Sequence, residues 1–199
     1  MSRFSEAISE GDGISVIPVL EGDVEALAAL AEEAGAEGIA VRAADVERVR
    51  ARTGLPILAR DGEPPAVAAA GADAVVVSFE DATDDARLVA LWELELDFAV
   101  DVREEEQLED VLERIDPEIV LISERGVADD QEDLELTLDL LADVPAGKLV
   151  VSEARIVSRE QVLALERAGV DAILVHGLPG DADFRAVLEE LVRGHDAGL

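Results

Sequence analysis

The chain contains no cysteine and only one lysine, Lys148. The missing thiols exclude disulfides and thiolate metal sites. No apolar run reaches the roughly 18 residues that a membrane-spanning helix needs. The opening Met1-Ser2-Arg3-Phe4-Ser5-Glu6 has no apolar secretion core, so export is not expected. No His-Glu-x-x-His or comparable metal spacing occurs: His176 sits inside the chain and His195 in its tail. A cytoplasmic protein without a membrane partner is the expectation.

Positive charge is also scarce. Sixteen basic residues face 47 acidic ones, a net charge of −31. Such a surface repels nucleic acid and anionic lipid, so neither is an expected partner. Fifteen of the sixteen basic residues are arginine. Two origins for this balance stay open. A high-salt cytoplasm favours carboxylate-rich, lysine-poor surfaces because screening relieves self-repulsion. A GC-rich genome would exchange lysine for arginine with no physical benefit.

What is present is a core. Of 199 residues, 49% are hydrophobic, enough for one folded domain. Short apolar runs alternate with amphipathic helical stretches along the whole chain. Ile14–Leu20, Gly38–Val41, Pro56–Ala59, Ala74–Val77, Phe98–Val102, Ile119–Ile122, Leu149–Val151 and Ala172–Val175 read as strands. Their continuous apolar character suits parallel strands covered on both faces. Helical spacing groups Val24, Leu27 and Leu30, then Leu108, Val111, Leu112 and Ile115, then Phe184, Val187, Leu188 and Leu191. Ser158-Arg159-Glu160-Gln161 is a capping box that opens another helix.

Ala34-Gly35-Ala36-Glu37-Gly38-Ile39-Ala40-Val41 recurs as Ala70-Gly71-Ala72-Asp73-Ala74-Val75-Val76-Val77 and as Ala168-Gly169-Val170-Asp171-Ala172-Ile173-Leu174-Val175. In each copy glycine ends a helix and a short turn feeds a buried strand. Eight strand–helix units spanning residues 1–199 predict a single α/β domain, a (β/α)8 TIM barrel with short loops. An open doubly wound sheet would need a glycine-rich nucleotide turn after a strand, and none is visible.

Chemistry in such barrels sits at the carboxyl ends of the strands. Residues just past each strand are Glu21, Arg42, Arg60, Asp61, Glu80, Asp101, Arg103, Ser123, Arg125, Glu153, Arg155 and His176. Converging arginines suit an anionic ligand such as phosphate or carboxylate; pairing with nearby carboxylates is the alternative. Glu153 and Asp101 follow strands seven and five, where two carboxylates can divide acid and base roles, or bridge to Arg60, Arg103 or Arg155.

The segment order resembles indole-3-glycerol-phosphate synthase over nearly the whole chain. Leu55-Pro56-Ile57-Leu58-Ala59-Arg60-Asp61, Val100-Asp101-Val102-Arg103-Glu104-Glu105-Glu106, Val150-Val151-Ser152-Glu153-Ala154-Arg155-Ile156 and Gly169-Val170-Asp171-Ala172-Ile173-Leu174-Val175 carry the resemblance. It implies a monomeric barrel that closes an indole ring on carboxyphenylamino-deoxyribulose phosphate, releasing carbon dioxide and water. It also implies no metal and no organic cofactor.

By the same resemblance, Arg60 stands where the family has its strand-three lysine, Asp101 replaces a glutamate and Ser123 an asparagine, while Glu153 is retained. The strand-one glutamate and lysine fall at Val19 and Glu21, and the serine-rich loop that follows is missing. Ala154 and Arg155 stand for a serine and a glycine, and the phosphate segment reads His176-Gly177-Leu178. The implied catalytic set is Glu153, Asp101 and Arg60; the implied substrate and phosphate set is Arg155, Gly177, Ser123 and His176. Two functions stay open: a carboxy-lyase of this type, or a non-catalytic barrel that binds a phosphorylated ligand or a protein partner.

The high-salt reading is checked by thermal unfolding. Raising salt from about 0.1 M to about 2 M shortens the screening length from about 10 Å to a few Å, so Tm is expected to climb steadily. A flat or falling Tm would leave the genome-composition reading.

Overall fold

Eight apolar segments pair in one parallel sheet in the order β1-β8-β7-β6-β5-β4-β3-β2. They are β1 (Ser15–Pro18), β2 (Ile39–Val41), β3 (Ile57–Ala59), β4 (Ala74–Ser78), β5 (Asp97–Val102), β6 (Ile119–Ser123), β7 (Leu149–Glu153) and β8 (Ala172–Val175). A bridge between Val19 and Ala40 joins β1 to β2, which nearly closes the sheet into a ring. The Leu20 amide adds a 2.9 Å hydrogen bond to the Ala40 carbonyl. The computed structural model describes residues 3–10, 13–94, 96–123, 137–153, 156, 158–178 and 181–192. The fold is a (β/α)8 barrel, as the sequence predicts.

Helices alternate with the strands. They are α1 (Arg3–Ser9), α2 (Val24–Ala34), α3 (Val46–Arg50), α4 (Pro64–Ala70), α5 (Phe79–Ala82), α6 (Asp85–Trp92), α7 (Glu105–Arg114), α8 (Arg159–Ala168) and α9 (Asp181–Val192), with residues 137–141 also helical. The capping box opens α8: Ser158 Oγ accepts from the Gln161 amide at 3.4 Å, and Gln161 Oε1 accepts from the Ser158 amide at 3.1 Å. No described helix is long and apolar enough to cross a membrane.

Strand side chains alternate between two hydrophobic clusters. Ile39, Val41, Ile57, Val75, Val100, Val120, Val150 and Ile173 face the helices. Ile17, Val19, Ala40, Leu58, Ala74, Ala99, Leu121, Val151 and Leu174 fill the interior. A period of two along each strand produces this division. Helix α1 brings Phe4 and Ile8 into the interior cluster. The Ser5 amide donates to Asp97 Oδ2 at 2.9 Å, which ties α1 to the start of β5.

The repeated acidic residue has a structural task. Glu37 Oε2 accepts from the Val16 amide at 3.1 Å, Asp73 Oδ2 from the Ile57 amide at 2.8 Å, and Asp171 Oδ2 from the Val150 amide at 2.7 Å. Each carboxylate therefore serves a backbone donor on the preceding strand, at the amino end of the ring. The glycine two residues earlier makes the turn: Gly35, Gly71 and Gly169 have φ of 86°, 98° and 101°. The single lysine lies at this same end, where Lys148 Nζ donates to the Asp116 carbonyl at 3.1 Å.

Burial raises the Asp171 carboxyl above its ordinary value, although the Val150 amide works in the opposite direction. A carboxyl raised by folding contributes stability that is present below its unfolded pKa, about 3.9, and is lost as pH rises through the folded value. Asp171→Ala is expected to cost about 1–3 kcal/mol, the penalty for orphaning a buried amide. Asp171→Asn keeps an acceptor without the charge, so it should cost much less and remove that pH dependence. Urea titrations of both variants check this; equal losses would contradict it.

Candidate active site at the carboxyl-end mouth

One step beyond the apolar interior, the same alternation delivers polar side chains. Leu58 is followed inward by Arg60, Ala99 by Asp101, Leu121 by Ser123, Val151 by Glu153 and Leu174 by His176. The ladder continues through Arg60, whose amide donates to the Val41 carbonyl at 2.8 Å. These side chains form two separate clusters.

In the first, Glu153 Oε1 accepts from both Arg60 Nη2 and His176 Nε2, the latter at 2.6 Å. Strands β3 and β7 lie four places apart in a ring of eight, so they face each other across it. The Arg60–Glu153 ion pair therefore bridges opposite walls over the barrel interior. Side-chain exposure is 28% for Arg60, 16% for Glu153 and 35% for His176, so the cluster is sheltered but open to solvent. Burial pushes the Glu153 carboxyl up; the His176 hydrogen bond and the Arg60 charge outweigh it and hold the group below its ordinary value. A carboxylate has no proton to give, so Nε2 of His176 carries the hydrogen in this bond. This fixes the ring and leaves Nδ1 as its other face.

In the second cluster, Asp101 Oδ1 accepts from Ser123 Oγ and Asp101 Oδ2 from Arg103 Nη2 at 2.7 Å. Arg103 Nε also reaches Ser123 Oγ at 3.0 Å. Both carboxylate oxygens are thus braced. Ser123 pairs in register with Glu153, which puts the two clusters side by side on adjacent strands. Asp101 and Glu153 share no hydrogen bond; each has its own arginine, the salt-bridging alternative left open by the sequence.

The remaining candidates separate from these clusters. Arg42 is exposed and pairs with Asp45 at 3.8 Å. Asp61 Oδ1 accepts from the Ala43 amide at 2.7 Å and braces the loops after β2 and β3. Glu80 lies within α5, and Glu21 is exposed beyond β1. Gly177 has φ of 64°, with open space where a Cβ would stand. Arg125 and Arg155 lie outside the described residues. One position went unread from the sequence. Ser78 ends β4 and caps α5, accepting from the Asp81 amide at 3.1 Å. The Ser78-x-x-Asp81 spacing just after an apolar run was the available signal.

Among the described residues, no group of three or more His, Asp and Glu could hold a metal ion. The arrangement offers acid–base chemistry and anion binding. The guanidinium is a fixed charge, Glu153 is held as a carboxylate, and histidine is the side chain that exchanges protons near neutrality.

Comparison with known proteins agrees with the segment order. The family model for indole-3-glycerol phosphate synthase matches residues 21–191. A curated indole-3-glycerol phosphate synthase of Verminephrobacter eiseniae (strain EF01-2) is 35% identical over 150 residues, covering 71% of this chain and 54% of the relative. The chain thus spans about half the length of that relative. Among solved structures, a chain of the tryptophan synthase a2b2 complex of Pyrococcus furiosus superposes with a TM-score of 0.70 at 14% identity, covering 90% of this chain and 98% of that one. Thiamine phosphate pyrophosphorylase of Pyrococcus furiosus gives 0.66 at 19%, covering 90% and 94%. At such identities these two likenesses concern the fold alone. The family match and the 35% identical relative place this chain in the indole-3-glycerol phosphate synthase family.

Proposed function

We propose that the mouth binds a small phosphorylated ligand and carries the family's reaction, converting carboxyphenylamino-deoxyribulose phosphate to indole-3-glycerol phosphate, carbon dioxide and water. One observation carries this reading. Arg60, Glu153 and His176, from the ends of β3, β7 and β8, meet above the barrel interior. The resemblance assigns these places to the proton donor, the retained glutamate and the phosphate segment.

The ring closure begins when an aromatic ring carbon attacks the ribulose carbonyl. A carbon–carbon bond forms as the carbonyl electron pair moves onto oxygen and takes a proton. Loss of the carboxyl group as carbon dioxide restores the aromatic ring. The hydroxyl then takes a proton and leaves as water while the adjacent methylene carbon releases one, which completes the indole. Arg60 supplies fixed positive charge for the ligand's anionic groups, but a guanidinium is a poor proton donor. His176, as the doubly protonated imidazolium, gives the proton from Nδ1, while its Nε2–H stays oriented by Glu153. Asp101, braced by Ser123 and Arg103, is the second carboxylate. Gly177, with Arg155 beside Glu153 in sequence, is assigned to the phosphate.

A second reading has its own support. The chain's single lysine sits at the amino end of the barrel, and the mouth offers an ion-paired arginine in the lysine's place. Loss of a positioned acid typically costs about 10²–10⁴ in rate. On this reading the barrel holds a phosphorylated ligand without turning it over.

The experiment adds carboxyphenylamino-deoxyribulose phosphate at low and high salt and follows indole fluorescence. Slow product formation is expected, with Glu153→Gln lowering the rate by about 10² or more and Arg60→Lys raising it. Ligand binding by the folded protein without product would select the second reading. Neither binding nor product would remove both.

A further inference from the structure

The Arg60–Glu153 ion pair has two features that a purely structural salt bridge does not need. It joins opposite walls of the ring, so it lies across the carboxyl-end mouth, above the packed interior, where a ligand would have to sit. It also occupies the retained glutamate with a partner that any incoming oxyanion would compete for. Arg60 makes a single described contact with Glu153, through Nη2, whereas a guanidinium offers five donors in a fork suited to two oxygens. Glu153 does not depend on Arg60 alone, because His176 holds the same Oε1 at 2.6 Å.

We propose that this pair is a ligand-displaced latch: an oxyanion of the ligand, carboxylate or phosphate, takes Arg60 from Glu153 and leaves Glu153 and His176 as the working proton-transfer pair. The inference rests on reading the mouth as a ligand site. Its consequence follows from the balance of forces on Glu153. Burial already pushes this carboxyl up, and the Arg60 charge is among the influences holding it down. Removing that charge makes the carboxylate a stronger base only when a ligand is present. The bare site then keeps its acid–base pair quiet, and occupancy turns it on. The competition is also local. Among the described residues, no other carboxylate bonds Arg60, so neutralising Glu153 should release the guanidinium for a ligand.

The test measures binding of two probes, inorganic phosphate and benzoate, by calorimetry at constant ionic strength. The proteins are the full chain, Glu153→Gln, Glu153→Asp and Arg60→Gln. Glu153→Gln removes the competing charge; Glu153→Asp keeps it but shortens its reach. Both are expected to bind the preferred probe at least about fivefold more tightly than the unaltered chain, and Arg60→Gln is expected to lose binding. Whichever probe gains identifies the ligand group that Arg60 receives. Thermal unfolding establishes that each variant is folded; should Glu153→Gln fail to fold, Glu153→Asp decides. Unchanged or weaker binding by the folded Glu153 variants overturns the latch, as does absence of binding in every protein.

The same Glu153→Gln substitution should tighten anion binding and slow turnover, opposite effects that loss of a structural bridge would not give. Turnover without tightened binding would end the latch and leave the proposed reaction standing. Tightened binding without turnover would end the proposed reaction, and with it the switched-on proton transfer, and leave only the displacement of Arg60 by the oxyanion.

Discussion

A closed ring of parallel strands has one interior, and every second side chain must enter it. The rest of this molecule depends on that constraint. The interior of this chain is filled by alternating small and branched residues such as Ala40, Ala99, Val151 and Leu174, with Phe4 and Ile8 of α1 packed among them. Alternation cannot stop where the apolar layers end. On five strands the next inward residue is delivered to the carboxyl-end mouth whatever its chemistry: Arg60, Asp101, Ser123, Glu153 and His176. Side chains separated by as many as 93 positions thereby meet, as Arg60 and Glu153 do. The candidate site is the top layer of the packing.

The two ends of the ring use charge differently. At the amino end, carboxylates of the repeated turn accept from backbone amides of the preceding strand, as Asp171 does from Val150. These groups finish the ladders. At the mouth, Glu153 and Asp101 accept from side chains instead, Glu153 from Arg60 and His176, Asp101 from Ser123 and Arg103. A side-chain donor can be exchanged for a ligand at far less structural cost than a backbone donor, because no ladder is broken. That difference separates holding the fold from offering a site.

The strands were readable because each is buried on both faces. Continuous runs such as Ile119–Ile122 and Ala172–Val175 leave little ambiguity, and the observed strand ends lie within two residues of the expected ones. The capping box at Ser158 and the glycine turns were legible for local reasons, since both are set by backbone geometry over a few residues. Partner choice at the mouth was not. Nothing local says that Arg60 reaches Glu153 rather than a surface carboxylate; only the opposition of β3 and β7 in the ring decides it. His176 could be placed after β8 but not tied to Glu153, and Asp61 had the spacing of a site residue yet braces a loop. Ser78 is polar and lies one residue beyond the apolar run that ends at Val77, so the run alone does not reveal its place on β4.

Contact between Arg60 and Glu153 across the nearly closed ring is tested directly by a double-mutant cycle. Unfolding free energies of the unaltered chain, Arg60→Gln, Glu153→Gln and the double variant would yield the coupling between the two sites. A sheltered ion pair in contact predicts non-additivity of about 1 kcal/mol or more, whereas distant, independent sites add to within about 0.3–0.5 kcal/mol. Additive effects would mean that the two side chains do not meet, and the account of the mouth would be wrong.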